Sequence, residues 1–309
     1  MAWKVLLSDK IEEICPKIFK ERGIEVDRKE GLAPEELLKI IGDYDGQVVR
    51  SATKVTRDVL AKGRAGRLKI VGRAGAGLDN IDVQAAEELG VKVVNTPGLN
   101  SNAVAELTIA LALSLARHIP QGASSLKEGR WEKKTLAGTE IFGKTMGLVG
   151  LGHIGKLVTA KALGLGMRVI AHDPFVAPEE IASSGATPVA LAEIWREADY
   201  ISLHLPKTAA TQNIVSREVL AQFKPSAFLL NCARGGLVDE EALRAALEAG
   251  QIAGAALDVF SSEPPGDSPL LKLPNFIGVP HLGASTLEAQ LGVAAKVAEA
   301  LADFLDSAR

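Results

Sequence analysis

Cysteine is nearly absent from this sequence: Cys15 and Cys232 lie far apart and form no CxxC pair, which excludes a disulfide framework and suits a reducing compartment. Both are expected in or near a core. No apolar run is long enough to cross a bilayer. The longest, Leu107 to Ala116, is about half the needed length and reads as a buried helix or a subunit contact. An excess of charge is also missing, because 35 Lys and Arg face 38 Asp and Glu for a net charge of -3. With a pI near 6.0 there is no global field to favour nucleic acid or a membrane surface, so any phosphate binding must be local. The start, MAWKVLLSDK, carries one Lys, a short apolar run and then charges, which fits a first strand and not a signal peptide. A cytoplasmic location is expected. No metal-ligand spacing and no GxSxG elbow occur, so no metal is expected and hydrolase chemistry has little support.

The 309 residues, 47% hydrophobic and 24% charged, with a mean hydropathy of +0.14, describe an ordinary folded protein with room for two domains. From Trp3 to Val94 the apolar runs KVLLS, QVVRS, KIVGR and VKVVN alternate with amphipathic segments such as IEEICPKIFKERG and PEELLKIIGDY. That rhythm predicts a parallel sheet. It breaks at the turn formers Asn95-Thr96-Pro97-Gly98, where we place a domain boundary, and a helix is predicted from about Asn102 to His118. After a polar stretch a second series follows, with TMGLVG, RVIAHD, YISLHL, AFLLNC, IAGAALDV and NFIGVP as strands. Ser285 to Ala308 reads as a final helix able to pack back on the first domain. The expected fold class is α/β, with two doubly wound parallel sheets.

Gly150-Leu151-Gly152-His153-Ile154-Gly155 follows the strand TMGLV and opens the helical segment IGKLVTAKALG, the strand-turn-helix context that a dinucleotide fingerprint requires. Gly150 permits the tight turn, Gly152 lets backbone approach a pyrophosphate, and Gly155 lets helix pack on strand. RVIAHD ends in Asp173, and 173 minus 150 places it 23 positions past the first glycine. A carboxylate there accepts hydrogen bonds from a ribose 2'-hydroxyl and repels a 2'-phosphate, which favours NAD over NADP. Alone, Asp173 reads equally as a cap or turn residue ahead of Pro174.

Oxidising a hydroxy acid by hydride transfer calls for a cation to hold the carboxylate, a base for the hydroxyl proton and a partner to tune that base. Arg234 follows the strand AFLLNC and precedes two glycines; its planar fork can hold a carboxylate bidentately, unless it is a surface arginine pairing with Asp239 or Glu240. Glu263, in SSEPPG, and His281, after IGVP, also stand at strand ends. If Glu263 accepts a hydrogen bond from one ring nitrogen, the other can take the substrate proton. Of the five histidines, His204 at another strand end is the rival base.

NCARGG with Arg234, ALDVFSSEPP with Glu263 and PHLGAST with His281 resemble the D-isomer-specific 2-hydroxyacid dehydrogenase family. VVRSATKVT, VGRAGAGLDNID, NTPGLNSNAVAEL and RWEKK are more narrowly similar to its members that act on a phosphorylated hydroxy acid. The resemblance covers the whole chain. It implies Arg234 as substrate binder, His281 as the acid/base residue and Glu263 as its partner. It also implies that Ala76, His153, Ile154, Asp173, Leu205, Cys232, Ala233, Asp258 and Gly283 line an NAD site. By the same resemblance, residues 1–98 and 284–309 form a discontinuous flavodoxin-like substrate domain, 99–283 form an inserted Rossmann NAD domain, and about 99 to 120 join two subunits of a homodimer or homotetramer. The chain ends at Arg309, so the C-terminal regulatory domains that some relatives carry are not expected.

The small-molecule substrate implied, a phosphorylated 2-hydroxy acid, needs local cations in this mildly acidic protein. Arg50, Lys54 and Arg73, in loops after first-domain strands, are the candidates, against the alternative that they are ordinary solvated charges. Backbone near Gly75 and Gly77 could add to an anion site, and the resemblance brings Lys133 from a neighbouring subunit. An unphosphorylated oxo-acid reductase of the same family, and a non-catalytic NAD(H)-sensing corepressor, are the competing readings.

Overall fold

The apolar runs take up parallel strands because each is separated from the next by a helix-forming segment too long for a hairpin. The computed structural model describes residues 2–308. Its chain divides into two compact units, Met1–Asn100 with Ala284–Arg309, and Ser101–Gly283.

The smaller unit holds β1 (Lys4–Leu7), β2 (Glu25–Arg28), β3 (Gly46–Val49), β4 (Ile70–Arg73) and β5 (Lys92–Asn95) in the order β2-β1-β3-β4-β5, the flavodoxin-like arrangement. β2 lies outside the strands expected from sequence. Its segment EVDR is charged and largely accessible and pairs only with β1, the composition of an edge strand rather than a core one. The helix Arg57–Ala65 is likewise absent from the expected elements; its start is set by Thr56, whose hydroxyl accepts from Val59 N. Arg73, expected in a loop, closes β4 instead.

The final helix, Leu287–Ser307, begins at Thr286, whose side chain accepts from Ala289 N. It returns to the smaller unit: Val293, Val297, Leu301 and Leu305 share one core with Val5, Leu7, Val48 and Ile70. Fully burying a leucine contributes roughly 2–3 kcal/mol. Gly72 on β4 makes the approach possible, since a Cβ there would lie 2.3 Å from Leu301 Cδ1 and 2.6 Å from Val297 Cγ2. Arg22 anchors the end of the helix through Asp303 at 2.8 Å and Asp306 at 3.0 Å.

The larger unit carries β6 (Thr145–Val149), β7 (Arg168–His172), β8 (Thr187–Pro188), β9 (Tyr200–Leu203), β10 (Phe228–Asn231), β11 (Gly254–Leu257) and β12 (Phe276–Gly278), ordered β12-β11-β10-β9-β6-β7-β8. The two-residue edge strand β8 is too short to read from a pattern. β6, β9 and β11 are buried along their whole length, as a sheet covered on both faces requires. The order reverses between β6 and β9, which makes the carboxyl ends of these strands the ligand-binding edge of a Rossmann sheet. The expected helix after the boundary runs Ser101–Arg117 with most of its apolar side chains buried. After His118, at a left-handed φ of +52°, the chain resumes as Ile119–Lys127. Among the described residues no single helix is long and apolar enough to cross a membrane.

Candidate active site

The glycine turn sits at the carboxyl end of β6. Gly150 has φ +97°, and a Cβ on it would come within 2.5 Å of His204 O; a Cβ on Gly155 would come within 2.5 Å of Gly150 O. Side chains are excluded there by backbone. Around Gly152, by contrast, a Cβ would meet nothing within 4 Å, which leaves open the approach to the helix His153–Gly164. That 12-residue helix starts with no side-chain cap, so its first-turn N–H groups remain for an anion. Asp173, just past β7, accepts from Leu151 N at 2.8 Å through Oδ2 and from Phe175 N at 2.9 Å through Oδ1. It is therefore a turn residue and, with a second lone pair on each oxygen, still an acceptor for a ribose hydroxyl. An open glycine, an uncapped helix start and an acid in register suit the pyrophosphate and adenine ribose of a dinucleotide. His153 is exposed; Ile154 and Leu205 are half-buried, and Cys232 and Ala233 are buried. Burial pushes the Cys232 thiol up to about 12, so this cysteine is no nucleophile.

Arg234, Glu263 and His281 follow β10, β11 and β12, three neighbouring parallel strands. His281 Nδ1 lies 2.7 Å from Glu263 Oε2. The carboxylate can only accept, so Nδ1 carries the hydrogen, and in the neutral ring Nε2 then offers its lone pair. Glu263 Oε1 in turn accepts from Phe260 N at 3.1 Å. His281 has φ +52°, a left-handed backbone that costs a non-glycine residue on the order of 1 kcal/mol. Asp258, 1% exposed, over-determines it. Its carbonyl accepts from His281 N at 2.9 Å, and its carboxylate accepts from Leu282 N at 2.5 Å and Gly283 N at 2.9 Å. Burial pushes the Asp258 carboxyl above the usual range, opposed by those two N–H donors.

Arg234 is half-buried, with Nη1 donating to Ala233 O at 2.7 Å. Its turn is folded by Asn231, whose Nδ2 donates to Arg234 O at 2.9 Å while Oδ1 accepts from Ala233 N at 3.0 Å. As for the proposed surface partners, Asp239 caps the next helix through Ala242 N and Glu240 accepts from Ser261 N. His204, the rival base, has Nδ1 sealed from solvent without a partner and Nε2 3.0 Å from Ser202 Oγ. Desolvation pushes its pKa down to about 4. Lys133 is exposed in the irregular stretch between 128 and 144.

In the smaller unit the loop after β3 carries Arg50 and Lys54. Its backbone is clamped by the buried Asp9, which accepts from Arg50 N at 2.6 Å and from Thr53 Oγ1 at 2.7 Å. Asn80 clamps it from the other side, donating to Arg50 O at 2.8 Å and Thr53 O at 2.7 Å. On the adjacent β4, the Arg73 guanidinium lies across Gly75, where a Cβ would be 1.7 Å from Nη1; Gly75 N donates to Thr96 Oγ1 at 2.9 Å. Ala76 follows, half-buried, with its carbonyl bonded by Asn95 Nδ2 at 2.6 Å. Asp9, Asn80, Thr96 and Asn231 escaped sequence reasoning. Asp9, Asn80 and Thr96 bond loop backbone contributed by distant segments, which no local motif reports, and Asn231 folds the turn directly after it. No group of three or more His, Cys, Asp or Glu is placed to hold a metal among the described residues.

Residues 109–283 match the model of the D-isomer specific 2-hydroxyacid dehydrogenase NAD binding domain. The chain belongs to that family, and its larger unit is an NAD-binding domain. The D-3-phosphoglycerate dehydrogenase of Synechocystis sp. is 49% identical over 302 residues, 98% of this chain and 54% of that enzyme, so the chain spans about half the length of such relatives. The hydroxypyruvate reductase of Thermotoga maritima is 46% identical over 301 residues, 96% of each chain. The crystal structure of the TT0316 protein of Thermus thermophilus superposes with a TM-score of 0.90 at 36% identity, covering 98% of this chain and 97% of that one.

Proposed function

We propose that the chain oxidises 3-phospho-D-glycerate at C2 to 3-phosphooxypyruvate, the opening step of serine biosynthesis. The observation that carries the chemistry is the 2.7 Å bond between His281 and Glu263 on the strand edge that also bears Arg234. His281 Nε2 takes the hydroxyl proton, and Glu263 holds the ring and stabilises the imidazolium that results. Arg234 holds the substrate carboxylate and orients the carbon being oxidised. Bound NAD supplies the hydride acceptor. Selection of the phosphate is assigned to Arg50, Lys54 and Arg73 with backbone at Gly75, and to Lys133 of a neighbouring copy. The clamped loop around Arg50 supports that assignment, since it fixes where the cation is offered without engaging the side chain.

The similarity in length and sequence to the Thermotoga hydroxypyruvate reductase favours a second reading, reduction of an unphosphorylated oxo acid by the same triad. NADH consumption with 3-phosphooxypyruvate, beside hydroxypyruvate and glyoxylate, separates the two. A preference of at least about tenfold for the phosphorylated acid, as one lost charge-assisted contact would give, is expected; equal rates would leave the reductase. The exposed Ile119, Leu126 and Trp131, the last 80% accessible, support a homodimer contact, which light scattering after gel filtration tests.

A further inference from the structure

We infer that Glu240 is a positioning residue for the acid/base pair, acting through the peptide between Phe260 and Ser261 without touching substrate. This rests on the catalytic assignment of Glu263 and His281 made above.

Glu240 opens the helix Glu240–Glu248, directly after the capping Asp239. An acid in a first helical turn has a generic reason to be there, the positive end of the helix dipole, and a generic acid would point into water. Glu240 instead directs Oε1 at Ser261 N, 2.6 Å away and 21 positions on in the chain. The same peptide is held from its other side. A Cβ on Gly235 would lie 1.8 Å from Phe260 O and 2.9 Å from Ser261 N, so the turn that follows Arg234 lies flat against it. Glu263 is built on the other side of the same residue: Phe260 N, in the peptide just before, donates to Glu263 Oε1 at 3.1 Å, and Glu263 Oε2 meets His281 Nδ1 at 2.7 Å.

Residues 261 to 264 are otherwise exposed, and a solvent-exposed loop does not hold a carboxylate to a few tenths of an ångström by itself. Glu240 supplies the tie that does, from a helix rooted in the core through Ala242, Leu243, Ala246 and Leu247. Arg234 reaches the same peptide through Gly235. The substrate-holding and proton-handling loops are thereby registered against one another.

The test compares E240A, E240D and E240Q with the wild-type enzyme, reducing 3-phosphooxypyruvate and hydroxypyruvate with NADH. The alanine removes the acceptor, the aspartate falls one methylene short, and the glutamine keeps an acceptor oxygen at full reach. We expect kcat to fall about ten- to hundredfold in E240A and E240D, as misplacement of a reacting group by an ångström does. The solvent deuterium isotope effect on kcat should rise, and NADH affinity by fluorescence titration should stay within about twofold of wild type. E240Q should recover to within about threefold. Wild-type kcat and isotope effect in E240A and E240D would overturn the inference, as would an E240Q no better than E240D. Weakened NADH binding in parallel with kcat would overturn it too, by showing a general lesion. If E240A does not fold, E240D against E240Q decides. A wild-type protein that reduces neither oxo acid would instead sink the catalytic assignment on which the inference rests.

Discussion

The carboxyl edges of the two sheets are organised in opposite ways. On the larger unit the side chains assigned to proton transfer, and the acid beneath them, are themselves tied: Glu263 spends one oxygen on Phe260 N and the other on His281, and Asp258 spends both on the backbone after His281. Around Arg50 and Lys54 on the smaller unit the ties stop at the backbone. Asp9 and Asn80 clamp the loop, while Arg50 and Lys54 form no ion pair among the described residues. A base must be aimed before the substrate arrives, whereas a cation meeting a phosphate gains from keeping its donors for the ligand.

Breaking the tied edge should have the largest effect. His281→Ala removes the group assigned to proton transfer, and kcat for oxo-acid reduction is expected to fall about 10³-fold, within the usual range for general acid–base catalysis, with NADH affinity kept. A loss under tenfold would return the role to another group. Asp258→Asn leaves His281 in place but swaps one acceptor oxygen for an amide that cannot accept from the loop. A drop in kcat of about ten- to hundredfold is expected from the lost backbone bond; unchanged turnover would mean that the left-handed turn at His281 holds without it.

The smaller edge should respond selectively. Replacing Arg50, Lys54 and Arg73 singly by Ala should raise KM for 3-phosphooxypyruvate about tenfold each and leave hydroxypyruvate kinetics within twofold. Equal effects on both substrates would make these residues ordinary surface charges. In the core beneath that edge, Leu301→Ala should destabilise by about 2–5 kcal/mol, read by denaturant unfolding, with the triad chemistry of the remaining folded enzyme intact.

The smallest effect concerns His204. Its folded pKa, lowered by burial to about 4 from 6.5, means the unfolded chain binds the proton first as pH falls. Its contribution is fully present above pH 6.5 and is lost on acidification between those values, with a slope of at most about 1.4 kcal/mol per pH unit. His204→Gln should flatten the pH dependence of the denaturation midpoint over that window, and an unchanged slope would assign the acid sensitivity elsewhere.

Periodicity made the buried strands legible, because a parallel strand covered on both faces is a continuous apolar run, as in TMGLV and FLLN. The edge strands β2 and β8 were not legible. An edge needs no apolar run, so EVDR looks like a loop until β1 pairs with it. At the candidate site, Arg234, Glu263 and His281 could be singled out as strand-end residues, and the family motifs around them carried their roles. Asp9, Asn80, Thr96 and Glu240 are spread along the chain as ordinary polar residues, and only their bonds to distant backbone give them a purpose.

The sequence by itself determined the alternation of strands and helices, the glycine turn with its acid 23 positions on, and the chemical types available for hydride-transfer chemistry, because each is a local property of spacing and side-chain character. Tertiary structure alone decided which strands became neighbours. β10, β11 and β12 lie side by side although one long helical connection and one long, mostly irregular connection separate them, and that adjacency brings Glu263 within 2.7 Å of His281 and Gly235 against Phe260. Such contacts follow from how two long crossovers pack on one sheet, a cooperative property of the whole unit that no window along the chain contains.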